Sequence, residues 1–512
     1  MSAQTIMTQS LSRQGSAFRR FGMEIFMDFN QTMLQYFEWY LPQDAGHWRR
    51  AAADAPRLKE AGISQVWLPP AYKGAQGKAD VGYGVYDLYD LGEFNQKGSV
   101  PTKYGTKDEY LTAIRAFQEA GIAVFADIVL NHKMGADGCE TVLAAGCDEK
   151  SRNEEEGPVQ EISAWTSFRF PGRGGKYSGF QWNHTHFTGV DWDDRRKRHE
   201  IFQFSGKEWD DEVDTENGNY DYLMGADLDM NNPEVVAELD RWGEWYLNMT
   251  GVDGFRLDAV KHIRFPFFTH WLMQLRKKTG KSLPSVGEYW SPNVRSLVRY
   301  LDESGLVMRL FDVPLHFHFV QASSSNGCFD MSRIFEGTLT AMRPDRAVTF
   351  VDNHDTQPGQ ALSSWVQGWF KPIAYALILL RRDGIPCVFY GDYYGIPHDS
   401  IGPVGPQLDV LLRLRRDTAY GEQIDYFDDY NIVGWTRLGD DAHPGSGCAV
   451  IVTDGPGGSK TMCMGARFAG RTFRDALGNM RQTVMLDECG SAAFPVGGGS
   501  VSVWVPDSLP ET

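Results

Sequence analysis

Three short apolar segments of this sequence each lead into a carboxylic acid, and the three acids are Asp258, Glu288 and Asp355. Arg256 precedes the first acid by two residues, and His354 immediately precedes the last. Carboxyl groups that are buried close together shift one another's pKa values apart, so that one is ionised while another is protonated. An ionised nucleophile beside a protonated acid, about 5–5.5 Å away, is the arrangement that retaining cleavage of a glycosidic bond requires.

The elements that must position these acids are seven apolar, β-rich segments, which are predicted to be strands. They are residues 33–39, 65–69, 122–130, 253–257, 284–287, 347–351 and 386–390. Helical patterns such as 110–120, 234–250 and 268–279 lie between them. Near-continuous apolar strands that alternate with helices indicate parallel strands covered on their outer face. About eight such units over roughly 400 residues favour an α/β fold of the (β/α)8, or TIM, barrel type over an open sheet.

In a (β/α)8 barrel, reactive side chains lie at the carboxyl ends of the strands. Asp258, Glu288 and Asp355 are therefore expected to meet on one rim, together with His132 from the end of the third strand. Arg256 lies on the same face of its strand as Asp258, where it can keep that carboxylate ionised. Each of these acids alone is most simply explained as a structural carboxylate at the end of a strand, paired with a basic residue. The three acids together, each with a basic or imidazole neighbour, favour a catalytic site.

The rest of the chain departs from the barrel pattern in three places. Residues 132–228 lack a strand–helix rhythm and are predicted to form a lobe inserted after the third strand, which leaves 31–131 and 229–421 for the barrel. Residues 422–512 contain short strands separated by Gly-rich turns, which predict an antiparallel, all-β C-terminal domain. Residues 1–30 are expected to be a disordered N-terminal extension.

The charge of the chain limits its partners. Lys and Arg number 50 against 67 Asp and Glu, which gives a net charge of −17. A negative field of this size repels phosphate backbones and anionic lipids, so neither nucleic acid nor a membrane surface is an expected partner. The basic run Arg195–His199 has acids on both sides, and we interpret it as a solvated helix face rather than a nucleic-acid site.

Cysteine usage and the first residues bear on the compartment. The seven cysteines are scattered without a CxxC pair, which predicts free thiols and a reducing environment. The first residues lack the apolar stretch of a signal peptide, and no apolar run reaches about 18 residues. We therefore expect a cytoplasmic monomer, with secretion left open.

Four ordered segments resemble the sequence regions of the α-amylase family, glycoside hydrolase family 13. They are Asp127-Ile-Val-Leu-Asn-His132, Gly254-Phe-Arg-Leu-Asp-Ala-Val-Lys-His262, Gly287-Glu288 and Phe350-Val-Asp-Asn-His-Asp355. Further segments, such as Leu34-Gln-Tyr-Phe-Glu-Trp-Tyr40 and Glu216-Asn-Gly-Asn-Tyr-Asp-Tyr-Leu-Met224, are similar to those of the bacterial liquefying amylases and their intracellular bacterial and fungal relatives. The resemblance covers roughly residues 33–505.

The resemblance implies a role for each residue that matches a family motif. Asp258 would be the nucleophile, Glu288 the general acid and then base, and Asp355 the group that binds two hydroxyls of the distorted sugar. The residues implied in contacts with substrate are Tyr83 as a stacking platform, His132, Arg256 and His354 around the same ring, Lys261 and His262 for the sugars on the leaving side, and Trp290 for a further stacking contact.

A metal site is suggested by residue chemistry and extended by the resemblance. Asp210, Asp221 and Asp227, with Asn131, supply hard oxygen ligands without any cysteine, which suits Ca²⁺ rather than zinc. The resemblance implies that Asn131, Asp221, Asp227 and the backbone carbonyl of His262 form the principal calcium site between lobe and barrel.

Two substitutions limit the number of ions. Relatives with a calcium–sodium–calcium cluster carry acids where this chain has Thr188 and Asn231, although Asp210 and Asp229 remain as partial ligands. We therefore expect one calcium and no full cluster. Tyr430-Asn431 also replaces the acidic pattern of a further calcium site beside the C-terminal domain.

The sequence thus predicts an endo-acting, retaining α-1,4-glucan hydrolase acting on a polysaccharide or oligosaccharide such as starch, glycogen or maltodextrins. A 4-α-glucanotransferase stays open, because it uses the same covalent intermediate and differs only in the acceptor that reaches it. A glucan-binding protein without turnover is a third reading, against which the intact Asp258, Glu288 and Asp355 argue.

Overall fold

A computed structural model describes residues 30–507, without the side chains of residues 155 and 156. The predicted N-terminal extension lies outside the described residues except for Asn30. The proposed domain boundaries stay a prediction.

Eight parallel strands close into a barrel in which each strand pairs with its neighbours along the chain, and the last pairs with the first. The strands are β1 (Met33–Gln35), β2 (Gln65–Leu68), β3 (Ala123–Ile128), β4 (Gly254–Leu257), β5 (Ser285–Gly287), β6 (Arg309–Phe311), β7 (Ala347–Phe350) and β8 (Ile385–Phe389). The predicted (β/α)8 barrel is therefore confirmed. Only β6 had no predicted counterpart, because a three-residue strand that begins with an arginine is too short to show a pattern.

Helices lie between the strands, and their ends follow the local sequence. The α-helices of the described chain are His47–Ala61, Lys107–Glu119, Pro233–Thr250, Phe265–Thr279, Val294–Glu303, Val313–Ser324, Leu339–Met342, Lys371–Leu379, Tyr390–Tyr394 and Pro406–Asp417. Asn232 caps the third of these through its side chain, Pro233 occupies its first turn, and Gly251 ends it with a φ of 69°. Leu239 and Trp242 of this helix are fully buried, as expected for a helix that covers the barrel.

An antiparallel six-stranded sheet interrupts the barrel between β3 and the helix Pro233–Thr250. In spatial order its strands are His132–Lys133, Ala226–Leu228, Phe187–Asp193, Arg198–Phe204, Gly138–Cys147 and Glu155–Ser167. Its first and last strands along the chain pair with each other, with Asp227 opposite His132. The lobe therefore begins and ends at the carboxyl end of β3, beside the predicted catalytic rim.

The interpretation of the basic run Arg195–His199 as a helix face is wrong. The run lies on the turn and first residues of a hairpin between Phe187–Asp193 and Arg198–Phe204. Each of its side chains has an acidic neighbour, as in the pairs Arg196–Asp193 and Lys197–Asp194. A basic run with acids on both sides does not distinguish a helix from a hairpin, because both structures can place opposite charges side by side.

The C-terminal part is antiparallel and all-β, as predicted. Its six-stranded sheet contains, in spatial order, Gln423–Tyr426, Ile432–Arg437, Cys448–Thr453, Ser500–Pro506, Thr472–Asp475 and Val484–Met485, and a second sheet pairs Gly458–Cys463 with Ser491–Val496. Phe473, Phe494 and Trp504 are buried between them. No helix within residues 30–507 is long and apolar enough to cross a membrane.

Candidate active site

The three predicted catalytic acids lie just beyond the ends of β4, β5 and β7, on the same rim of the barrel. The backbone N–H of Asp258 donates to the carbonyl of Ile128, and that of Glu288 donates to the carbonyl of Leu257, each at 2.9 Å. These bonds extend the barrel pairing one residue past the strands, so both acids are held by main chain. Asp258 and Glu288 are 7% and 8% exposed, which leaves each carboxyl partly accessible from the barrel mouth.

One buried guanidinium joins the acids of neighbouring strands. Arg256 Nη1 lies 2.5 Å from Asp258 Oδ1, and its Nη2 lies 2.7 Å from Glu288 Oε2. The same Nη1 lies 2.9 Å from Asp127 Oδ1, on the strand that pairs with β4. The expected contact between Arg256 and Asp258 is present, and Glu288 is a second partner of the same side chain.

Asp127 was quoted in the third-strand motif but not predicted as a site residue. Besides Arg256, it accepts hydrogen bonds from Trp67 Nε1 at 2.9 Å and from the Tyr83 hydroxyl at 2.8 Å. It is fully buried within β3. A charged residue inside an otherwise apolar strand was the available signal, since a buried carboxylate must find a cation or donors.

Burial and mutual repulsion shift the pKa values of the rim acids upwards. Burial raises the pKa of Asp258 to about 6, with Arg256 opposing the shift. Burial also raises the pKa of Glu288, and the charge of Asp258 adds to the rise. The pKa of Asp355 is raised well above its ordinary range by burial and by Glu288. The site therefore retains protons that exposed carboxyls would lose, as acid–base work at neutral pH requires.

A stack of rings lines one side of the rim. The ring of Tyr83, the predicted platform, lies parallel to the His354 imidazole with centroids 5.0 Å apart. The ring of Trp39 is also parallel to that of Tyr83, with centroids 6.0 Å apart and an interplanar angle of 2°. Trp39 belongs to the quoted segment 34–40 but was not predicted as a site residue. Its position beside Tyr83 shows that the segment after β1 also contributes to the rim.

Burial favours the neutral form of the two histidines of the rim, because it lowers the pKa of each. His132 donates through Nε2 to the carbonyl of Tyr83 at 2.9 Å, and burial lowers its pKa to about 4. His354 Nε2 lies 3.2 Å from Asp355 Oδ2, and burial lowers its pKa well below the ordinary value. His132 thus holds the backbone of the platform residue, while His354 contacts an acid of the rim.

The residues predicted for the leaving side are connected to one another. Ala259 has a φ of 49°, a left-handed turn that redirects the chain directly after Asp258. Lys261 Nζ then lies 2.7 Å from Glu216 Oε2 and 3.1 Å from the carbonyl of Trp290. His262 donates through Nδ1 to a lobe carbonyl, that of Tyr220, at 2.7 Å. This region therefore joins the lobe to the barrel.

Three of the predicted metal ligands form a buried acidic cluster in the lobe, which consists of Asp210, Asp221 and Asp227. The backbone N–H of Asp210 donates to Asp221 Oδ2 at 3.0 Å. Burial and the neighbouring acids raise the pKa values of Asp221 and Asp227 well above the ordinary range, and burial raises that of Asp210 to about 6. Carboxylates that raise one another's pKa values in this way are suited to a shared cation.

Protein donors occupy the edge of this acidic cluster. The Thr188 hydroxyl donates to Asp227, and Asn231 Nδ2 donates to Asp210 Oδ1 at 2.5 Å. Lys207 Nζ lies 2.5 Å from Asp229 Oδ2. Across residues 30–507, the His, Cys, Asp and Glu side chains do not form a complete metal-binding group of three or more. The calcium ligand set therefore stays a prediction. The carbonyl of Asn131 accepts a hydrogen bond at 3.0 Å from the N–H of Leu228, the residue after Asp227 of the cluster.

Comparisons with known proteins identify the family. Residues 28–424 match the model for the α-amylase catalytic domain, and residues 454–505 match that for an α-amylase C-terminal domain. The α-amylase of Geobacillus stearothermophilus is 58% identical over 480 residues, which cover 93% of this chain and 87% of the relative. The cytoplasmic α-amylase of Escherichia coli (strain K12) is 44% identical over 494 residues, which cover 94% and 99%.

A solved structure shows the same fold. The α-amylase of Geobacillus thermoleovorans, complexed with acarbose, matches with a TM-score of 0.62 and 18% identity, over 94% of this chain and 99% of that one. With a matched family model over most of the chain and relatives above 40% identity along nearly all of it, the chain belongs to the α-amylase family of glycoside hydrolases.

Proposed function

We propose that this enzyme is an endo-acting, retaining α-1,4-glucan hydrolase, with Asp258 as nucleophile and Glu288 as acid and base. The observation that carries the proposal is the contact of one guanidinium, that of Arg256, with both carboxyl groups. A shared guanidinium holds two acids close together on adjacent strands, as a double displacement needs. It also favours the ionised form of Asp258, the group that must attack.

The reaction proceeds in two steps. Asp258 attacks the anomeric carbon of the sugar, and the bond to the glycosidic oxygen breaks while that oxygen takes a proton from Glu288. Glu288, now a carboxylate, removes a proton from water, and the resulting hydroxide displaces Asp258 from the same carbon. Two inversions retain the α configuration, and Glu288 regains its proton.

The remaining rim residues bind the sugar ring. Asp355 accepts hydrogen bonds from two adjacent ring hydroxyls, and these bonds tighten as the ring distorts towards the transition state. Tyr83 and Trp39 supply a parallel pair of ring faces beside this position, which suits the apolar face of a glucose unit. His132 fixes Tyr83 through its backbone. Lys261, His262 and Trp290 would contact the sugars on the leaving side.

We also propose that one Ca²⁺ joins the lobe to the barrel through Asn131, Asp210, Asp221, Asp227 and the carbonyl of His262. The mutually raised pKa values of the three buried aspartates support a cation between them. A Ca²⁺ bound there would neutralise the carboxylates and crosslink the lobe to the barrel. Lys207 already pairs with Asp229 at the edge of the cluster, which supports one ion rather than several.

A cytoplasmic, monomeric state belongs to the proposal as well. The name of the Escherichia coli relative supports the location. Fractionation of the native cells and light scattering of the purified chain would test these two points.

The deciding experiment is incubation of the calcium-loaded chain with end-blocked maltoheptaose, with the products resolved by length over time. Shorter fragments alone are expected, because internal bonds are cleaved and water is the acceptor. Products longer than the substrate would instead support a 4-α-glucanotransferase. An unchanged substrate with folded, calcium-loaded protein would support a glucan-binding protein without turnover.

A further inference from the structure

The imidazole of His354 lies in an aromatic box at the end of β7 and is 1% exposed. The rings that surround it, with centroids 4.9–6.1 Å away, are Phe37, Trp39, Trp67 and Tyr83. Such a box excludes water from the ring nitrogens, so the protein must satisfy both of them.

The two nitrogens face groups of opposite kind. Nδ1 lies 3.1 Å from the side-chain nitrogen, Nε2, of Gln35, and the imidazole Nε2 lies 3.2 Å from Asp355 Oδ2. Gln35 is the last residue of β1, is 1% exposed and pairs with Trp67 of β2 and Phe389 of β8. Its amide therefore reaches His354 from a strand that is paired on both sides.

The chemistry of an amide group determines the proton position on the ring. An amide nitrogen donates hydrogen bonds and does not accept them, so Nδ1 of His354 must be the acceptor. The proton of the neutral ring is then on Nε2, where it faces Oδ2 of Asp355. Protonation of Nδ1 would place one N–H against another, which disfavours the imidazolium form in the same way as burial does.

We infer that Gln35 is a positioning residue of this enzyme, which fixes His354 as the neutral tautomer with its proton on Nε2 and so directs an N–H at Asp355. The inference rests on the proposed function, because it acts through the role of Asp355 in binding the sugar. Gln35 itself touches neither the substrate position nor the reacting acids.

The charges around His354 explain why a fixed, neutral donor is required. Arg256 faces the ring from β4, and Tyr83 lies parallel to it. Asp355, its partner, also faces Glu288, Asp258 and Asp127. A second cation on this rim would stabilise the ionised acids and compete with Arg256, whereas a neutral N–H holds Asp355 in place without changing the net charge.

The sharpest variant is Gln35→Glu, which keeps the size of the side chain but replaces the donor by an acceptor. A carboxylate at this position accepts a hydrogen bond from an N–H on Nδ1 and so favours the other tautomer or the imidazolium. We expect kcat/KM to fall about 10- to 100-fold, mostly in kcat, because the hydrogen bonds between the sugar hydroxyls and Asp355 tighten in the transition state. The pH profile of kcat should gain an additional ionisation, that of His354.

Two further variants separate this role from packing. Gln35→Met removes the donor at similar volume and should reduce kcat by about 3- to 10-fold without a new ionisation. Gln65→Glu makes the same change on β2, where the amide donates to Gln31 and contacts none of the rim residues, and should leave kcat and the pH profile unchanged. A wild-type pH profile in Gln35→Glu would overturn the inference.

A direct measurement needs no substrate. Ring-¹⁵N-histidine NMR of the calcium-loaded wild type should show His354, assigned as the signal missing from His354→Asn, with unprotonated Nδ1 and protonated Nε2 across the stable pH range. A proton on Nδ1 in the wild type would overturn the inference even if Gln35→Glu did not fold. Loss of activity on every glucan, with the expected tautomer present, would instead count against the proposed function alone.

Discussion

The catalytic rim and the acidic cluster of the lobe both bury several carboxylates, but they compensate the charge differently. On the rim, the fully buried Arg256 contacts three of them, those of Asp127, Asp258 and Glu288. In the cluster of Asp210, Asp221 and Asp227, the basic side chain of Arg264 is more distant, with its Nε 4.0 Å from Asp210 Oδ1.

This difference follows from how each region is assembled. Arg256 and its partners lie on β3, β4 and the end of β5, so closing the barrel brings cation and acids together in one geometry. The acidic cluster belongs to a lobe that must dock on the barrel, with Asp210 and Asp221 in irregular segments and Asp227 on the short strand Ala226–Leu228. A bound ion can crosslink such a joint, whereas a guanidinium fixed by a strand suits chemistry that needs constant positions.

The largest effect is expected on the rim, from Glu288→Gln. The amide keeps the shape of the side chain but cannot donate the proton that the leaving oxygen needs. We expect kcat to fall by at least about 10³-fold while maltooligosaccharide binding is retained. Steady-state kinetics and calorimetric titration check this, with Glu336→Gln on the surface as control. Near-normal hydrolysis by Glu288→Gln would contradict the assignment.

Removing the guanidinium of Arg256 should leave the rim, like the acidic cluster, with buried carboxylates that lack a close basic partner. Arg256→Met leaves Asp127, Asp258 and Glu288 without their shared partner, which should lower the free energy of unfolding by about 3–5 kcal/mol at neutral pH. Protonation of the three acids should reduce this loss as the pH falls. Urea unfolding at several pH values measures it. Arg299→Met, which removes an exposed pair with Glu303, should change little. Equal stability of Arg256→Met and wild type at neutral pH would show that the guanidinium is not needed.

Chelation should act where the lobe meets the barrel. Removing calcium should lower the free energy of unfolding by about 2.7 kcal/mol relative to protein with free calcium at about 100 times its Kd. Thermal unfolding with and without chelator, after metal analysis, tests this. The Asp221→Asn variant should unfold at a lower temperature than the calcium-loaded wild type, and chelator should change its Tm little. Unchanged melting of the verified metal-free wild type would remove calcium from the proposal.

The pH dependence of activity should report the rim alone. Asp258 must be ionised to attack, and burial raises its pKa from 3.8 to about 6. We therefore expect kcat/KM to fall about tenfold per pH unit below about pH 6. Because the folded protein holds this proton more tightly than the unfolded chain, the contribution of Asp258 to stability decreases as the pH rises from about 4 to about 6. Steady-state kinetics on end-blocked maltoheptaose, in saturating calcium, measure this fall of kcat/KM at acidic pH. A flat profile down to about pH 4 would contradict the raised pKa.

The smallest effect is expected at the edge of the acidic cluster. Lys207→Met removes the ammonium that lies 2.5 Å from Asp229, in a pair that is partly exposed. We expect a loss of about 0.5–1 kcal/mol in calcium-loaded protein, measured by urea unfolding. A loss as large as that of Arg256→Met would mean that Lys207 is a principal cation of the lobe.

The sequence by itself determined the repeated strand–helix order, the C-terminal β-sheet and the positions of the three acids along the chain. Each is a local property, since apolar runs, turn residues and a carboxyl group at a strand end are visible in a few consecutive residues. The resemblance carried by segments such as Asp127–His132 added the family, which the comparisons confirmed. The three-residue strand β6 and the hairpin at 195–199 were not predicted. A strand of three residues is too short to show a pattern, and a basic run with acids on both sides fits a helix face as well as a hairpin.

Tertiary structure decided which side chains share a partner. Arg256 was expected beside Asp258, two residues away, but its contacts with Asp127 and Glu288 exist only because β3, β4 and β5 pair in one register. Gln35 and His354 are 319 residues apart and meet because β1 and β7 both pair with β8 in the closed barrel. Such contacts have no local pattern in the sequence, since they depend on how distant elements pack, and the proton position on His354 depends in turn on that packing.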